Sequence, residues 1–125
     1  MARRRIPAVD GRRAVRAWLS GDRGEAIVAT AARFALEELA ERFPGRGIEV
    51  RVPPFGAIQC GGGSRHTRGT PPRVVETDAE TWIALATGAL TWREGVVAGR
   101  VAASGAGSSL EAWLPVVEAD AAQDE

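Results

Sequence analysis

Few residues in this 125-residue chain could carry chemistry. It has one cysteine, Cys60, and one histidine, His66. A cysteine nucleophile needs a contacting histidine and a third group that orients the imidazole, and the sequence around these two residues has no such pattern. One Cys and one His also cannot fill a zinc site of four protein ligands. We therefore expect no catalytic residue, metal site or cofactor, and we interpret Cys60 as a small buried apolar residue.

A glycine-rich segment directly follows Cys60. Gly61-Gly62-Gly63 has neither the lysine of a P-loop nor the spacing of a dinucleotide fingerprint. Lysine is absent from the whole chain, which excludes Schiff-base chemistry as well. Consecutive glycines can still form a backbone nest that binds an anion. The candidate contacts for such an anion are Arg65, His66 and Arg68, and the alternative is a flexible hairpin turn.

Charge is unevenly distributed in a chain whose formal net charge is zero. Arginines are concentrated in residues 1–16 and acids in residues 118–125. A basic arm can bind phosphates of nucleic acid or of an anionic membrane. The arginines lack the interleaved aromatic residues of a nucleic-acid surface, which favours a solvated segment instead. We predict a basic flexible arm at residues 1–9, one domain at 10–117 and an acidic flexible tail at 118–125.

The composition is typical of one ordinary soluble domain. With 45% hydrophobic and 26% charged residues, the chain can bury a core without disulfides or a structural metal. No apolar run approaches the roughly 18 residues of a membrane span. The N-terminal arginines are not followed by the hydrophobic stretch of a signal peptide. These features predict a cytoplasmic protein.

Two helices are expected in the first third of the chain. Asp10 can cap a short helix that ends at Gly21. Asp22 and Glu25 then have the spacing of a capping box, and a long helix follows that Pro44-Gly45 ends. Apolar residues recur along the long helix at steps of three to four. They are Ile27, Ala31, Phe34, Ala35, Leu39 and Phe43.

Strand patterns alternate with further helix signals in the rest of the chain. Strands are predicted at 48–52, 55–60, 73–76 and 99–105. Three Ser/Thr-x-x-Glu pairs each predict the start of a short helix. The pairs are Thr77 with Glu80, Thr91 with Glu94, and Ser108 with Glu111. This order predicts an α+β fold in which one mixed or antiparallel sheet has its helices packed on one face.

Three tryptophans lie on the apolar sides of these short helices. Trp82, Trp92 and Trp113 would converge if the helices pack on one sheet. Core filling is one interpretation of these rings. The other is an apolar cavity, since ligand pockets are mostly apolar with few polar groups.

The order of motifs in the second half resembles the sterol carrier protein type 2 superfamily. Residues 77–88 supply an acidic residue, a Trp, a Leu and a Gly, and Trp92, Gly99-Arg100 and Leu110 follow in the order of that superfamily. Together with residues 51–55 and 65–72, they look like the small bacterial sterol carrier orthologues of high-GC actinobacteria. The resemblance runs from about Arg51 to Leu114.

The resemblance implies an α+β fold with a hydrophobic tunnel between sheet and helices, which accepts sterols, fatty acids or acyl-CoA. It implies a non-enzymatic binding or carrier domain for a lipid, fatty acyl or sterol-like ligand, whose acidic head group Arg65 or Arg68 could meet. The wall or core residues at matching positions are Phe55, Ile58, Trp82, Leu85, Trp92, Val96, Val101, Leu110 and Trp113.

A second interpretation is an accessory module that binds a protein rather than a lipid. A similar unit forms the C-terminal part of mycothiol-dependent maleylpyruvate isomerases, beside a catalytic helical domain. This chain lacks the metal-binding histidines of that domain. It would therefore act with a protein partner and without a ligand of its own.

Overall fold

A computed structural model describes residues 5–62 and 73–117 of the chain. These residues form helices and strands in a mixed order, which confirms the predicted α+β class. The elements are α1 (Ala8–Leu19), α2 (Glu25–Arg42), β1 (Ile48–Val52), β2 (Gly56–Cys60), β3 (Val74–Thr77), α3 (Ala79–Thr87), α4 (Trp92–Val97), β4 (Val101–Ser104) and a 3₁₀ turn (Glu111–Trp113). Within the described residues, no helix is both long and apolar enough to cross a membrane.

The four strands form one mixed sheet in the order β2-β1-β3-β4. β1 pairs antiparallel with β2 and parallel with β3, and β3 pairs antiparallel with β4. Val50 of β1 lies opposite both Ile58 and Val75, so these three side chains share a face. All three are buried. This face of the sheet belongs to the hydrophobic core. A buried face is what the predicted packing of helices on one side of the sheet requires.

The other face of the sheet is polar. Arg51 of β1 is exposed and donates a hydrogen bond to Glu49 at 3.1 Å. That bond raises the pKa of the Arg51 guanidinium above its ordinary value. Glu76 of β3 is paired with Arg51 in the parallel register and is also exposed. This side of the sheet therefore lies in water.

Helix α1 packs closely on α2 at a glycine. Gly11 is buried, and a Cβ built on it would overlap the ring of Phe34. Phe34 is itself only 2% exposed, so the ring has little room to move away. The absence of a side chain at position 11 therefore sets the distance between the two helices.

The start of α1 differs from the prediction. The helix begins at Ala8, two residues before Asp10, and Pro7 is its N-cap. The proline ring holds φ at −56°, which suits a chain entering a helix. Asp10 lies in the first turn, where a carboxylate interacts favourably with the helix dipole. The backbone N–H of Ile6 also bonds to α2, through the Glu37 carboxylate at 2.9 Å.

The predicted caps of α2 and α3 are also wrong. At the start of α2 the N-cap is Gly24, and Asp22 accepts a hydrogen bond from the Gly24 N–H at 2.9 Å instead of forming a capping box. At the start of α3 the cap is Asp78, which accepts from the Thr81 N–H at 2.8 Å. Thr77 still belongs to β3. An Asp next to the Thr competes well for the cap position, because a carboxylate is a strong acceptor there.

The capping box of α4 is confirmed. The Thr91 hydroxyl accepts from the Glu94 N–H at 3.0 Å, and the Glu94 carboxylate accepts from the Thr91 N–H at 2.8 Å. Hydrogen bonding of the Glu94 carboxylate to the backbone N–H of Thr91, and then to its side chain, lowers the pKa of Glu94 below its ordinary value. Glu94 is therefore held anionic at the first turn of α4.

The last predicted helix is only a 3₁₀ turn. The segment coils over Glu111–Trp113 and then becomes extended at Leu114, with ψ 146°. Pro115 explains the early end, because a residue that precedes proline is disfavoured in helical conformation. Ser108 does not cap this turn, and the Glu111 N–H bonds to the Ser109 hydroxyl at 3.2 Å.

We expect the variant Gly11→Ala to unfold more easily than the wild type. The added methyl group must displace the Phe34 ring or separate the helices, at a cost of about 1–3 kcal/mol. Urea denaturation followed by circular dichroism measures the free energy of unfolding. The control is Gly62→Ala, whose new Cβ meets no described atom within 4 Å. Equal stability of the two variants would contradict the close packing of α1 on α2.

Candidate functional site

Trp82 is the central side chain of the core rather than an open wall. It is 0% exposed, and its indole N–H donates to the Ala32 carbonyl oxygen at 3.1 Å. The hydrogen bond joins α3 to α2 in the interior, where both groups are out of water. The ring therefore fills space and has its polar atom satisfied.

Two other predicted wall residues do meet at one cleft. Leu85 from α3 and Trp92 from α4 line a cleft of about 390 Å³ beside the C-terminal segment of the described chain. Both side chains are mainly buried, with exposed fractions of 1% and 9%. The complete lining is Leu85, Gly88, Leu90, Thr91, Trp92, Glu111, Leu114 and Pro115. We call this the α3–α4 cleft.

The turn between α3 and α4 sets the shape of this cleft. Gly88 ends α3 with φ +86°, a left-handed conformation that glycine adopts without strain. The Leu90 N–H then bonds to the Ala84 carbonyl at 3.1 Å, which fixes the turn against the helix it leaves. The capping box at Thr91 starts the next helix at once. Leu90, Thr91 and Trp92 are thereby held at the cleft.

The opposite wall is fixed by backbone hydrogen bonds to the same helix. The N–H groups of Val116 and Val117 both donate to the Ala86 carbonyl oxygen at 2.9 Å. Val116 and Val117 are themselves buried, with 0% and 4% exposed. Leu114 and Pro115, just before them, are thus placed along the cleft.

The lining is mostly apolar, with polar groups at two positions. The aliphatic and aromatic members are Leu85, Leu90, Trp92, Leu114 and Pro115. The polar members are Thr91 and Glu111, and both residues are exposed. An apolar wall with a few polar groups is the usual form of a site for small molecules.

The remaining predicted wall residues are dispersed. Ile58 and Leu110 are buried in the core. Phe55 is half-buried, and the Arg33 guanidinium lies 5.7 Å from its ring centre. Val101 is half-buried on β4, and Val96 is 47% exposed on α4.

Trp113 takes part in a stacked pair outside the α3–α4 cleft. Its ring centre lies 5.1 Å from that of Phe43, with an angle of 19° between the planes. It also lies against Gly61, where an added Cβ would overlap the indole. Trp113 therefore contacts both Phe43, the residue after α2, and Gly61, the residue after β2.

The groups considered for nucleophilic or anion chemistry form no site in the described residues. Cys60 is buried, and burial raises the pKa of its thiol to about 11. A thiol with that pKa stays protonated at neutral pH and is a poor nucleophile. The predicted anion contacts Arg65, His66 and Arg68 lie outside the described residues. Within residues 5–62 and 73–117, no group of three or more His, Cys, Asp or Glu could hold a metal ion.

Four cleft residues were not predicted from the sequence to line a pocket: Leu90, Glu111, Leu114 and Pro115. Leu114 and Glu111 were assigned to a helix that the structure replaces with a short turn. The signal for the correct placement was Pro115, which cannot continue a helix begun at Ser108. Leu90 follows the Gly88 that ends α3, and that position favours a tight turn rather than a helical face.

The fold and the cleft define a small α+β domain with an apolar depression beside its helices. A family model described as bacterial SCP ortholog, where SCP denotes sterol carrier protein, matches residues 22–116. The chain belongs to this family, which confirms the resemblance drawn from its motifs. Helix α1 precedes the matched residues, and the α3–α4 cleft lies entirely within them. No curated protein matches the chain.

We expect Trp82→Phe to destabilise the protein more than Trp92→Phe does. The first change leaves the buried Ala32 carbonyl without its indole donor, which costs about 1–3 kcal/mol. The Trp92 indole nitrogen has no hydrogen-bond partner among the described residues, so the same substitution there is a matched control. Urea denaturation of both variants provides the comparison. Equal losses of stability would show that the Trp82 hydrogen bond contributes nothing.

Proposed function

We propose that this protein is a non-enzymatic carrier or binding protein for an apolar ligand, held in the α3–α4 cleft. The observation that carries the proposal is the lining of this cleft by Leu85, Leu90, Trp92, Leu114 and Pro115. Its volume of about 390 Å³ lies within the range of roughly 300–1,000 Å³ typical of small-molecule sites. Membership of the sterol carrier family supports a lipid or acyl ligand.

Burial of hydrocarbon supplies the driving force in this proposal. Each methylene group that leaves water for the cleft contributes about 0.8 kcal/mol. The walls need not be ordered by the ligand, because backbone hydrogen bonds from Leu90, Val116 and Val117 to α3 already hold them. A site formed in advance loses less entropy when its ligand binds.

The state of the buried polar groups supports binding without chemistry. The buried hydroxyls of Thr77, Thr81 and Thr87 all take part in hydrogen bonds within the protein. The Cys60 thiol is held protonated by its burial. These groups are engaged in structure, and none of them lines the α3–α4 cleft.

A protein-binding role is the second candidate, and one observation favours it. Val96 and Val97 on α4 are 47% and 81% exposed, and both are large apolar side chains at the surface. Exposed apolar residues that lie side by side can contact a partner protein. The accessory-module interpretation is therefore retained as the alternative to a lipid carrier.

We expect the purified protein to bind N-phenyl-1-naphthylamine, an uncharged apolar dye, in a saturable way. Leu114→Trp should weaken this binding at least about tenfold, because a larger ring occupies the cleft. Leu19→Trp is the control, since Leu19 is 39% exposed at the end of α1 and does not line the cleft. Dye fluorescence measures binding, and circular dichroism verifies folding.

Equal dye binding by the Leu114→Trp variant and the wild type would contradict this location for the ligand. No saturable binding by the wild type would contradict the carrier function itself. If that protein also co-purified with a stoichiometric protein partner, the result would favour the accessory-module alternative.

A further inference from the structure

Among the described residues that line the α3–α4 cleft, Glu111 has the one charged side chain and Trp92 the one aromatic side chain. Glu111 lines the cleft from the 3₁₀ turn, and Trp92 lines it from α4. None of the arginines in residues 5–62 and 73–117 lines the cleft, although arginine is the cation that this chain uses throughout. The lining thus combines one negative charge with one electron-rich aromatic surface.

The Glu111 carboxylate is available to a ligand as far as the described residues are concerned. It makes no ion pair or hydrogen bond with them, and only the backbone N–H of Glu111 is engaged, with Ser109. The neighbouring acid Glu94 differs, because its carboxylate is committed to the Thr91 N–H. Arg93 is exposed on α4 and is not part of the lining.

An anionic head group would be poorly accommodated beside this lining. A fatty acid carboxylate placed next to Glu111 would face a like charge, and the described part of the lining contains no cation to offset the repulsion. An ammonium group would instead be attracted to both Glu111 and Trp92. It donates charge-assisted hydrogen bonds to a carboxylate and is attracted to the face of a Trp ring.

We propose that the α3–α4 cleft selects amphiphiles with a cationic amine head group over those with a carboxylate. The alkyl chain lies against Leu85, Leu90 and Leu114, and the ammonium group lies between Glu111 and the Trp92 ring. This inference rests on the proposed function, since it assigns the ligand class of the same cleft.

The test compares three ligands that share a dodecyl chain: dodecylammonium, dodecanol and dodecanoate. Each is used as a monomer at neutral pH to displace N-phenyl-1-naphthylamine from the wild-type protein. We expect dodecylammonium to bind about tenfold more tightly than dodecanoate at low ionic strength, with dodecanol between them. Raising the salt concentration should reduce the difference, because Glu111 is exposed and its charge is screened.

The variant Glu111→Gln tests whether the preference for the amine depends on the charge of Glu111. It removes the charge with little change of size, and we expect the preference for the amine to fall to about twofold or less. Glu25→Gln is the matched control, because Glu25 is an exposed acid on α2 outside the cleft and its loss changes the net charge equally. The control should keep the wild-type preference.

Two results would overturn the inference while leaving the carrier function intact. One is displacement of the dye by dodecanoate as tightly as by dodecylammonium in the wild type. The other is an amine preference that does not depend specifically on Glu111. Such a preference would persist unchanged in Glu111→Gln, or would be lost equally in Glu25→Gln, and it would indicate general attraction to protein acids. Failure of the dye and of all three ligands to bind would instead contradict the proposed function, and with it this inference.

Discussion

The hydrogen bond from Trp82 to the Ala32 carbonyl is the interaction around which the helix layer is organised. It joins α3 to α2 in an interior where Trp82 is fully buried. Because the indole is both large and directional, it fixes how α3 lies on α2 as well as how closely. The cleft depends on this arrangement, since Leu85 stands one turn further along α3 from Trp82. The site is therefore carried by a helix whose position is set in the core.

The C-terminal segment, residues 110–117, supplies the wall of the α3–α4 cleft that lies opposite α3. Its attachment to the Ala86 carbonyl by two N–H groups places Leu114 and Pro115 opposite the helix turn, and the buried Leu110 anchors its start. A helix in the same place would have used its own N–H groups internally. The non-helical backbone leaves the N–H groups of Val116 and Val117 free to bond to α3, and Leu114 and Pro115 line the apolar cleft. The electrostatic character of the cleft then comes from Glu111, which the same segment supplies.

Periodicity in the sequence was sufficient for most of the helices and strands but not for the last predicted helix or the cleft. The alternation from Ile48 to Val52 predicted β1 correctly, and the Thr91–Glu94 pair identified the start of α4. The α+β class followed from the order of such signals, and the family followed from the resemblance of the motifs in the second half of the chain. The cleft was predicted only in part, because a Trp on an apolar helix face looks the same whether it fills the core, as Trp82 does, or lines a cleft, as Trp92 does. That distinction depends on neighbours distant in sequence, such as Ala32 and Pro115.

The indole N–H resonances of the four tryptophans test the proposed location of the ligand most directly, because the protein that is titrated is the wild type. In a two-dimensional ¹H–¹⁵N spectrum, Trp92→Phe identifies the resonance that belongs to Trp92. Titration of the wild type with dodecanol should shift that resonance most and leave those of Trp18 and Trp82 nearly unchanged, because neither lines the α3–α4 cleft. A titration that shifts Trp18 or Trp82 instead, or that shifts none of the four, would contradict a ligand site in this cleft.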